Sequence, residues 1–573
     1  MSETPAVRVV PSIPTFSVDN GFWYSIPDGM DLEIGAVVRV PLSGRRVKGF
    51  VIETGSSLSE RLKPVASRSG KGSVFDEALL DTLLWAAEHY VAPVSVMLER
   101  SAPPKVPPVA PESAEALYPN RSDPLPPGQR VVWITSRFEG LTDILGGAAS
   151  VGGSAMVVAA TEVEADRFGE ALRAAGLDPV VVGSQDSNEQ VTKAWRRCQK
   201  APAVLIGTPR IVGWKIPRLR TAVIVEDGRR AMKDRQTPTV HGRDLLIHRG
   251  EREGFRMVIA GPTPSVEAIA WAERIHRDGG RSWGLVEVVD TGTERGMLAE
   301  TTKQAIRAVV REKGRVFVFA HRRGYAAAVR CVRCRHLRKC TTCGSSPDIA
   351  DSCPRCGAPT GPCVECGGTR FEPLGSGVGR VVEELRRVVS SAGPYPSDSS
   401  VTCGTERDLA ELEYQDLIVM VDADGLVFGR DYRAAEEALR IGARLANRVR
   451  KGRRMIVQTS EPKHPAIEAL RQGDPLSFLE GELSLRSQFG YPPAGELLVI
   501  AVKGALDVGE VNAVIGEACA GNMVLGPAVT EEGTRWLIQG NDLSEARIGL
   551  RQVVGRLREK GLTVRVDADP IDL

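Results

Sequence analysis

The sequence predicts a multidomain α/β protein. A β-rich N-terminal domain comes first, then two parallel α/β lobes, the second carrying a double four-cysteine insertion, then an α+β C-terminal domain. Three observations predict this. At 573 residues the chain has room for about four domains of roughly 150 residues each. Apolar runs of strand length alternate with amphipathic helical segments through its middle, as in a parallel sheet covered by helices. Eight of the eleven cysteines fall between Cys331 and Cys366, a density that calls for a chemical reason.

Composition removes several classes. Lys and Arg number 74 against 72 Asp and Glu, a formal charge of +2. That excludes a uniformly basic nucleic-acid coat and an acidic solvating tail. A hydrophobic fraction of 42% with 25% charged residues fits packed domains rather than wholesale disorder. No charge-free apolar run reaches the roughly 18 residues of a membrane span. The start at Met1 lacks the basic flank and apolar stretch of a secretory signal, so the sequence predicts a cytoplasmic protein with no membrane partner.

In chain order, Ala36–Val40 and Gly49–Ile52 read as strands flanking the basic turn Ser43–Lys48, and Phe75–Tyr90 carries helical spacing. Arg39–Lys71 holds eight basic and two acidic residues. Ser101–Gly128 has nine prolines in 28 residues, too many for helix or sheet, and reads as a stiff extended linker. Strands are expected at Arg130–Thr135, Ala155–Ala160, Ala203–Thr208, Ala222–Val225 and Arg256–Gly261. After the second, Ala165, Phe168, Leu172 and Ala175 mark a helix that Gly176 and Pro179 stop. The pattern resumes at Arg315–Ala320, Leu417–Ala423 and Met455–Ser460, with Ser390–Ser400 as a short linker. The last hundred residues read β-α-β-β-α-β, with strands at Leu497–Lys503, Met523–Val529, Arg535–Gly540 and Thr563–Asp567, a ferredoxin-like order.

The cysteines form four Cys-x-x-Cys knuckles: Cys331/Cys334, Cys340/Cys343, Cys353/Cys356 and Cys363/Cys366. A two-residue gap lets both thiolates of a knuckle reach one metal, and two knuckles complete a closed tetrahedral site that is structural rather than catalytic. Iron–sulfur clusters use the same ligands, but regular paired knuckles favour zinc, and a cytoplasmic setting disfavours disulfides. The gaps between knuckles are five, nine and six residues. The five-residue gap is tight for a hairpin, so nesting is easier: Cys331, Cys334, Cys363 and Cys366 on one ion, Cys340, Cys343, Cys353 and Cys356 on the other. Seven basic residues and no acid lie between His321 and Cys343. They either neutralise the thiolate sites or contact nucleic acid or a partner.

The stretch His321-Arg-Arg-Gly-Tyr325 leading into the knuckles resembles the approach to the zinc insertion of the PriA family, the bacterial replication-restart helicases. The likeness covers nearly the whole chain. Phe22-Trp-Tyr24 and Arg39-Val-Pro41 resemble the family's 3′-DNA-end-binding domain. Thr239-Val-His-Gly-Arg-Asp244, Val421-Asp-Ala-Asp424, Asp431–Glu436, Val457–Thr459 and Glu461-Pro-Lys-His464 resemble its helicase-lobe motifs. Gln488–Pro493 and Val566-Asp-Ala-Asp-Pro570 resemble its C-terminal domain. The resemblance implies a 3′-DNA-end-binding-like domain over 1–100, a linker over 101–128, and RecA-like lobes over 129–290 and 291–470. It places the zinc insertion at 331–366 and the C-terminal domain over 475–573. The family's zinc pairing is nested as well, though the inner loop here is shorter than usual.

The departures concern the nucleotide site. Phosphoryl transfer needs a glycine-rich loop, a Lys on phosphate and a Ser/Thr hydroxyl on Mg²⁺. After the first strand of the lobe this chain reads Ser136-Arg-Phe-Glu-Gly-Leu-Thr142, with Gly140 at the Lys position and Leu141 at the hydroxyl. The family's Asp-Glu-Glu-His becomes Val225-Glu-Asp-Gly-Arg229, leaving Glu226 and Asp227 as carboxylates for a metal. The arginine-finger segment becomes Ala446–Lys451, with Arg448 at the first finger and Lys451 at the second. Gly377-Val-Gly379 replaces Gly-Thr-Glu. No catalytic residues are assigned, and ATP hydrolysis is not expected. The competing expectation is an active ATP-dependent 3′-5′ helicase with an atypical nucleotide site.

Binding remains. Arg45, Arg46, Lys48 and Lys63 are candidate phosphate contacts, and Phe22 is a candidate base-stacking residue, unless Phe22–Tyr24 packs its rings into the core. Trp23 stands where the family has an aspartate that helps hold the terminal 3′ nucleotide. From Arg440 to Arg454 there are seven basic residues and no acid. At helical spacing Arg440, Arg444, Arg448 and Lys451 share a face, either a DNA-tracking stripe or a solvated surface. The family's winged-helix domain has no counterpart beyond the proline linker. The resemblance implies two Zn²⁺ ions and forked or single-stranded DNA as ligand. As partners it implies primosome and replicative helicase-loading proteins, with a single-stranded-DNA-binding protein as a further candidate.

Overall fold

The computed structural model describes residues 4–57, 62–107, 125, 128–135, 143–145, 153–292, 296–321, 328–334, 336, 338, 340–341, 352–353, 358–374, 377–429, 431–504, 507–530 and 533–571. The chain divides into two units, one of Met1–Arg277 with Leu483–Ile571 and one of Asp278–Glu482.

In the first unit, strands Phe22–Ser25, Thr4–Pro11, Arg45–Ser57, Ala36–Leu42 and Ser67–Ser73 form an antiparallel sheet in that order. Val7, Val9, Tyr24, Val38, Val40 and Val51 supply its core. The central hairpin closes on two residues, Ser43 (φ 49°) and Gly44 (φ 79°), the positive-φ pair that a primed turn requires. Arg45–Lys48, expected in the turn, therefore lie in the strand. Asp76 caps helix Glu77–His89 by accepting a hydrogen bond from the Leu79 N–H at 3.1 Å.

A seven-stranded parallel sheet follows, in the order Arg274–Arg277, Arg130–Ile134, Arg256–Gly261, Leu219–Val225, Ser154–Val158, Val204–Gly207, Pro179–Val182. The sequence marks the five inner strands and misses both edges. An edge strand is covered less completely, so Arg-Ile-His-Arg at 274–277 carries no apolar run. The C-terminal sheet orders Met523–Thr530, Gly533–Gly540, Glu496–Lys503, Thr563–Ala568, all antiparallel, with helices Val508–Ala518 and Ser544–Glu559. This is the expected β-α-β-β-α-β unit.

Polar clamps fasten that unit within the same body. Lys233 Nζ meets an Asp567 carboxylate oxygen at 2.6 Å and the Asp569 carbonyl at 2.7 Å. His89 Nε2 lies 3.0 Å from the Asp569 carboxylate. Arg551 donates to the Ala87 and Ala92 carbonyls at 2.6 and 2.9 Å. The terminal Val566–Pro570 segment thus acts as an anchor.

The second unit holds a six-stranded parallel sheet, in the order Leu285–Asp290, Val449–Thr459, Gln415–Met420, Val316–Phe319, Val401–Gly404, Ala392–Pro394. Strand Leu285–Asp290 belongs here, so the lobe boundary drawn at 290 from the sequence falls too late. The expected linker Ser390–Ser400 contributes an edge strand instead. The proline linker lies mostly outside the described residues. Among the described residues no helix is long and apolar enough to cross a membrane.

Candidate metal centre and nucleic-acid interface

The cysteine insertion opens and closes on a two-stranded ladder, Ala328–Cys331 antiparallel to Phe371–Leu374. The Cys331 N–H donates to the His336 carbonyl, the Cys353 N–H to Ala358 and the Cys363 N–H to Gly368, each at 2.8 Å. Each bond reaches five residues ahead, so three knuckles share one turn that folds back under its first cysteine. The Sγ atoms of Cys331, Cys334, Cys363 and Cys366 all lie within 4.8 Å of one another. Cys331 and Cys366 approach to 3.5 Å, as do Cys334 and Cys363. Four thiolates at zinc distance would sit about 3.8 Å apart around a tetrahedral ion, so this donor set fits a metal such as zinc. A side chain at Gly368 would put a carbon 3.0 Å from the Cys331 sulfur, so this glycine makes room for the site. Sequence reasoning passed over it.

Of the inner set, Cys340 and Cys353 are buried, while Cys343 and Cys356 lie outside the described residues. Arg333 reaches the Cys366 carbonyl at 3.4 Å. Arg338 donates to the Gly361 carbonyl at 2.9 Å and stacks 4.2 Å from the Phe371 ring centroid. These two arginines tie the insertion together through its backbone carbonyls, a role that neither reading of the basic residues had named. The side chain of Arg330, and Arg322, Arg323, Arg335 and Lys339, are not described.

Gly140 and Leu141 also lie outside the described residues. Glu226 and Asp227 leave the end of strand Leu219–Val225 with separate partners. Asp227 has 0% exposure. It accepts the Ser265 N–H at 3.1 Å and the Ser265 hydroxyl, with Arg243 at 3.3 Å. Burial raises its pKa against the pull of Arg243 and Ser265. Glu226 pairs instead with Arg229, at 3.0 Å. Among the described residues the two carboxylates do not converge on one cation, so Glu226 and Asp227 do not fit a shared catalytic metal.

Arg243 belongs to the Thr239–Asp244 motif and is itself buried. Its guanidinium reaches Asp244 at 2.8 Å, Ser265 at 3.0 Å, and Asp227 and Glu267 at 3.3 Å each. For Asp244, burial alone would raise the pKa, but the Arg243 guanidinium brings it below the usual carboxylate value. Burial and the Arg243 charge push His241 down to about 3. Its neutral Nδ1 accepts the Arg243 N–H at 3.2 Å and so caps helix Gly242–Glu253. The motif is an ionic anchor at a helix start.

In the N-terminal sheet, Phe22 and Trp23 are exposed by 40% and 37%, while Tyr24 is buried and donates to the Pro41 carbonyl at 3.4 Å. Only the third ring packs inward, and Trp23 lies across Gly55. Arg45, Arg46 and Lys63 are exposed. Lys63 is placed beside the aromatic strand by the Ser25 N–H, which donates to its carbonyl at 3.1 Å. Lys48 is held by Glu99 at 2.7 Å, at the rim of a cavity of about 870 Å³ that Arg100, Thr208, Arg210 and Arg235 also line.

The expected stripe of Arg440, Arg444, Arg448 and Lys451 does not form. Helix Ala434–Ala446 ends before the last two, Arg448 sits in a turn, and Val449–Thr459 is a strand. Arg440 and Arg444 are buried, paired with Glu436 at 3.1 Å and Glu406 at 2.8 Å. The i,i+4 spacing of Glu436 and Arg440 was the available signal.

Residues 8–103 match the family model of the "3'DNA-binding domain (3'BD)" of PriA. The replication restart protein PriA of Bacillus subtilis is 23% identical over 410 residues, 62% of this chain and 51% of that protein. The corresponding protein of Treponema pallidum is 27% identical over 378 residues, 58% of this chain and 56% of that one. For the probable PriA of Mycobacterium leprae the figures are 26% over 385 residues, 60% and 58%. The chain spans about half the length of the curated relatives it matches. A structure of RecG bound to a three-way DNA junction aligns with a TM-score of 0.36 at 11% identity, covering 62% of this chain and 44% of RecG, too slight a likeness to build on. The N-terminal domain and the long alignments agree in their direction: the chain is similar to the replication restart proteins PriA over 51–62% of its length.

Proposed function

We propose that this protein binds forked or single-stranded DNA at stalled replication sites and helps reload the replicative helicase, without driving DNA unwinding by ATP. Primosome and helicase-loading proteins would be its partners, and a single-stranded-DNA-binding protein a further one. The observation that carries this reading is the contrast between two sites. The N-terminal sheet keeps Phe22 and Trp23 exposed near Lys63, with Arg45 and Arg46 exposed beside its hairpin turn. The acidic motif, by contrast, is taken up by the chain's own arginines. Two zinc ions hold the insertion, one on Cys331, Cys334, Cys363 and Cys366, the other on Cys340, Cys343, Cys353 and Cys356. The shared turn of the Cys353 and Cys363 knuckles supports the second site.

Binding to forked and plain duplex DNA across a salt series tests the reading. Forks are expected to bind more tightly. Replacing Arg45 and Arg46 by alanine should weaken fork binding about tenfold and lower the logarithmic salt slope by about 2, one unit per lost phosphate contact. With Trp23 in place of a carboxylate, a 3′-phosphate on the fork should change affinity little. Equal affinity for forks and duplex would contradict the proposal.

A further inference from the structure

The acidic end of strand Leu219–Val225 is closed by a cation that the chain itself supplies. Arg229 lies two residues after Asp227, and its guanidinium is 8% exposed. A single nitrogen, Nη1, stands 2.6 and 2.7 Å from the two carboxylate oxygens of Glu164 and 3.0 Å from one of Glu226. Glu164 comes from the first turn of helix Glu162–Ala174, where Thr161 caps the helix and holds the chain in place. Three carboxylate oxygens therefore converge on one positive nitrogen at the carboxyl edge of a parallel sheet, the edge where such sheets bind ligands.

The backbone is shaped to this arrangement. Glu226 adopts a left-handed conformation, φ 55°, which a non-glycine residue seldom takes. Its N–H donates to the Ala260 carbonyl at 2.8 Å, and its own carbonyl accepts the Arg229 N–H at 3.1 Å. That tight turn is what brings the Arg229 side chain back over the carboxylate. The neighbouring Asp227 is turned the other way, into Ser265 and Arg243. A divalent ion would need oxygens at about 2.0–2.6 Å around an accessible point, and here the guanidinium occupies that point.

We propose that Arg229 is a resident cation, standing where a divalent metal would bind between Glu226 and Glu164, so that this site is permanently charged and closed to metal. The inference rests on the reading of the protein as a DNA-binding member without a motor, and goes beyond it by naming the residue that replaces the metal. It makes an unusual demand: deleting the arginine should create a metal site, because two carboxylates would be left facing the place that the guanidinium vacates.

Mn²⁺ uptake by the full-length zinc-loaded protein, read from loss of the free-ion electron paramagnetic resonance signal, tests this. Thiolate sites do not compete, since manganese prefers oxygen ligands. Wild type and Arg229→Lys should show no uptake that Glu226→Gln removes. Arg229→Ala should gain one site, bound about tenfold or more tighter than any in wild type, and adding Glu164→Gln should abolish it. If Arg229→Ala does not fold in metal-free buffer, recovery of the fold by Mn²⁺ is the expected result. Stoichiometric Mn²⁺ binding by wild type that Glu226→Gln removes would overturn the proposal. So would folded Arg229→Ala with the wild-type curve, or an unfolded variant that Mn²⁺ does not rescue. ATP turnover, followed on the same samples, keeps the two claims apart: metal uptake without turnover overturns only the role of Arg229.

Discussion

Replacing Cys331 by serine is expected to reduce the metal content from about two ions per chain to about one. The four sulfurs of this site come from two knuckles some thirty residues apart, joined otherwise by the ladder of Ala328–Cys331 and Phe371–Leu374 and by the bonds of Arg333 and Arg338 to the Cys366 and Gly361 carbonyls. Binding energies for structural zinc run to about 10–16 kcal/mol in small domains, far more than a four-residue ladder supplies. The variant should therefore lose the ladder and become open to proteolysis between residues 331 and 366. Both parallel sheets should stay folded, because their cores lie elsewhere. Cys198→Ala is the control. That thiol is buried in the first unit and its pKa is pushed up to about 12 by burial, so it behaves as a core residue and its loss should leave the metal unchanged. Metal analysis of the two variants decides the matter, and two ions retained in Cys331→Ser would contradict a four-thiolate site that includes Cys331.

Arg243→Ala is expected to destabilise the first unit by roughly 3–5 kcal/mol, the cost of stripping a buried ion-pair partner from its counter-charges. Asp227, Asp244 and Glu267 would be left facing one another without the guanidinium that all three contact. Arg243→Lys should recover only part of the loss, since an ammonium cannot span the same set of oxygens. The pH dependence has a sign. In wild type the Asp244 pKa is lowered, so its contribution is present above about pH 4, the unfolded value, and is lost on acidification below it. In Arg243→Ala the buried carboxylates would have raised values, so the variant should weaken as pH rises instead. Hydrogen exchange of strand Leu219–Val225 across pH reads both effects, and a change under about 1 kcal/mol would contradict the hub role.

Much of the fold was legible because burial on both faces imposes a continuous apolar run. Arg256–Gly261 reads as a strand for that reason, whereas Arg274–Arg277 and Ala392–Pro394, at sheet edges, do not; Pro179-Val-Val-Val182 carries an apolar run but was read only for its proline, as a helix stop. The knuckles were legible because metal-ligand spacing is local in sequence. Charge was the misleading signal. The run from Arg440 to Arg454 looks like a solvated or DNA-facing stripe, yet Arg440 and Arg444 are buried against Glu436 and Glu406, and the helix stops at Ala446. Lys48 looked like a free phosphate contact and is held by Glu99, 51 residues away in sequence. Arg229 read only as the loss of a motif residue. That it closes a three-oxygen site depends on Glu164, brought to it by the fold across 65 residues.

The central proposal, a PriA-like DNA-binding protein without a motor, is tested most directly by DNA-stimulated ATP hydrolysis. Purified zinc-loaded protein with forked DNA, MgATP and a turnover assay is expected to release phosphate no faster than a matched blank, while still binding the fork. Robust turnover that depends on DNA and disappears in Glu226→Gln would contradict it.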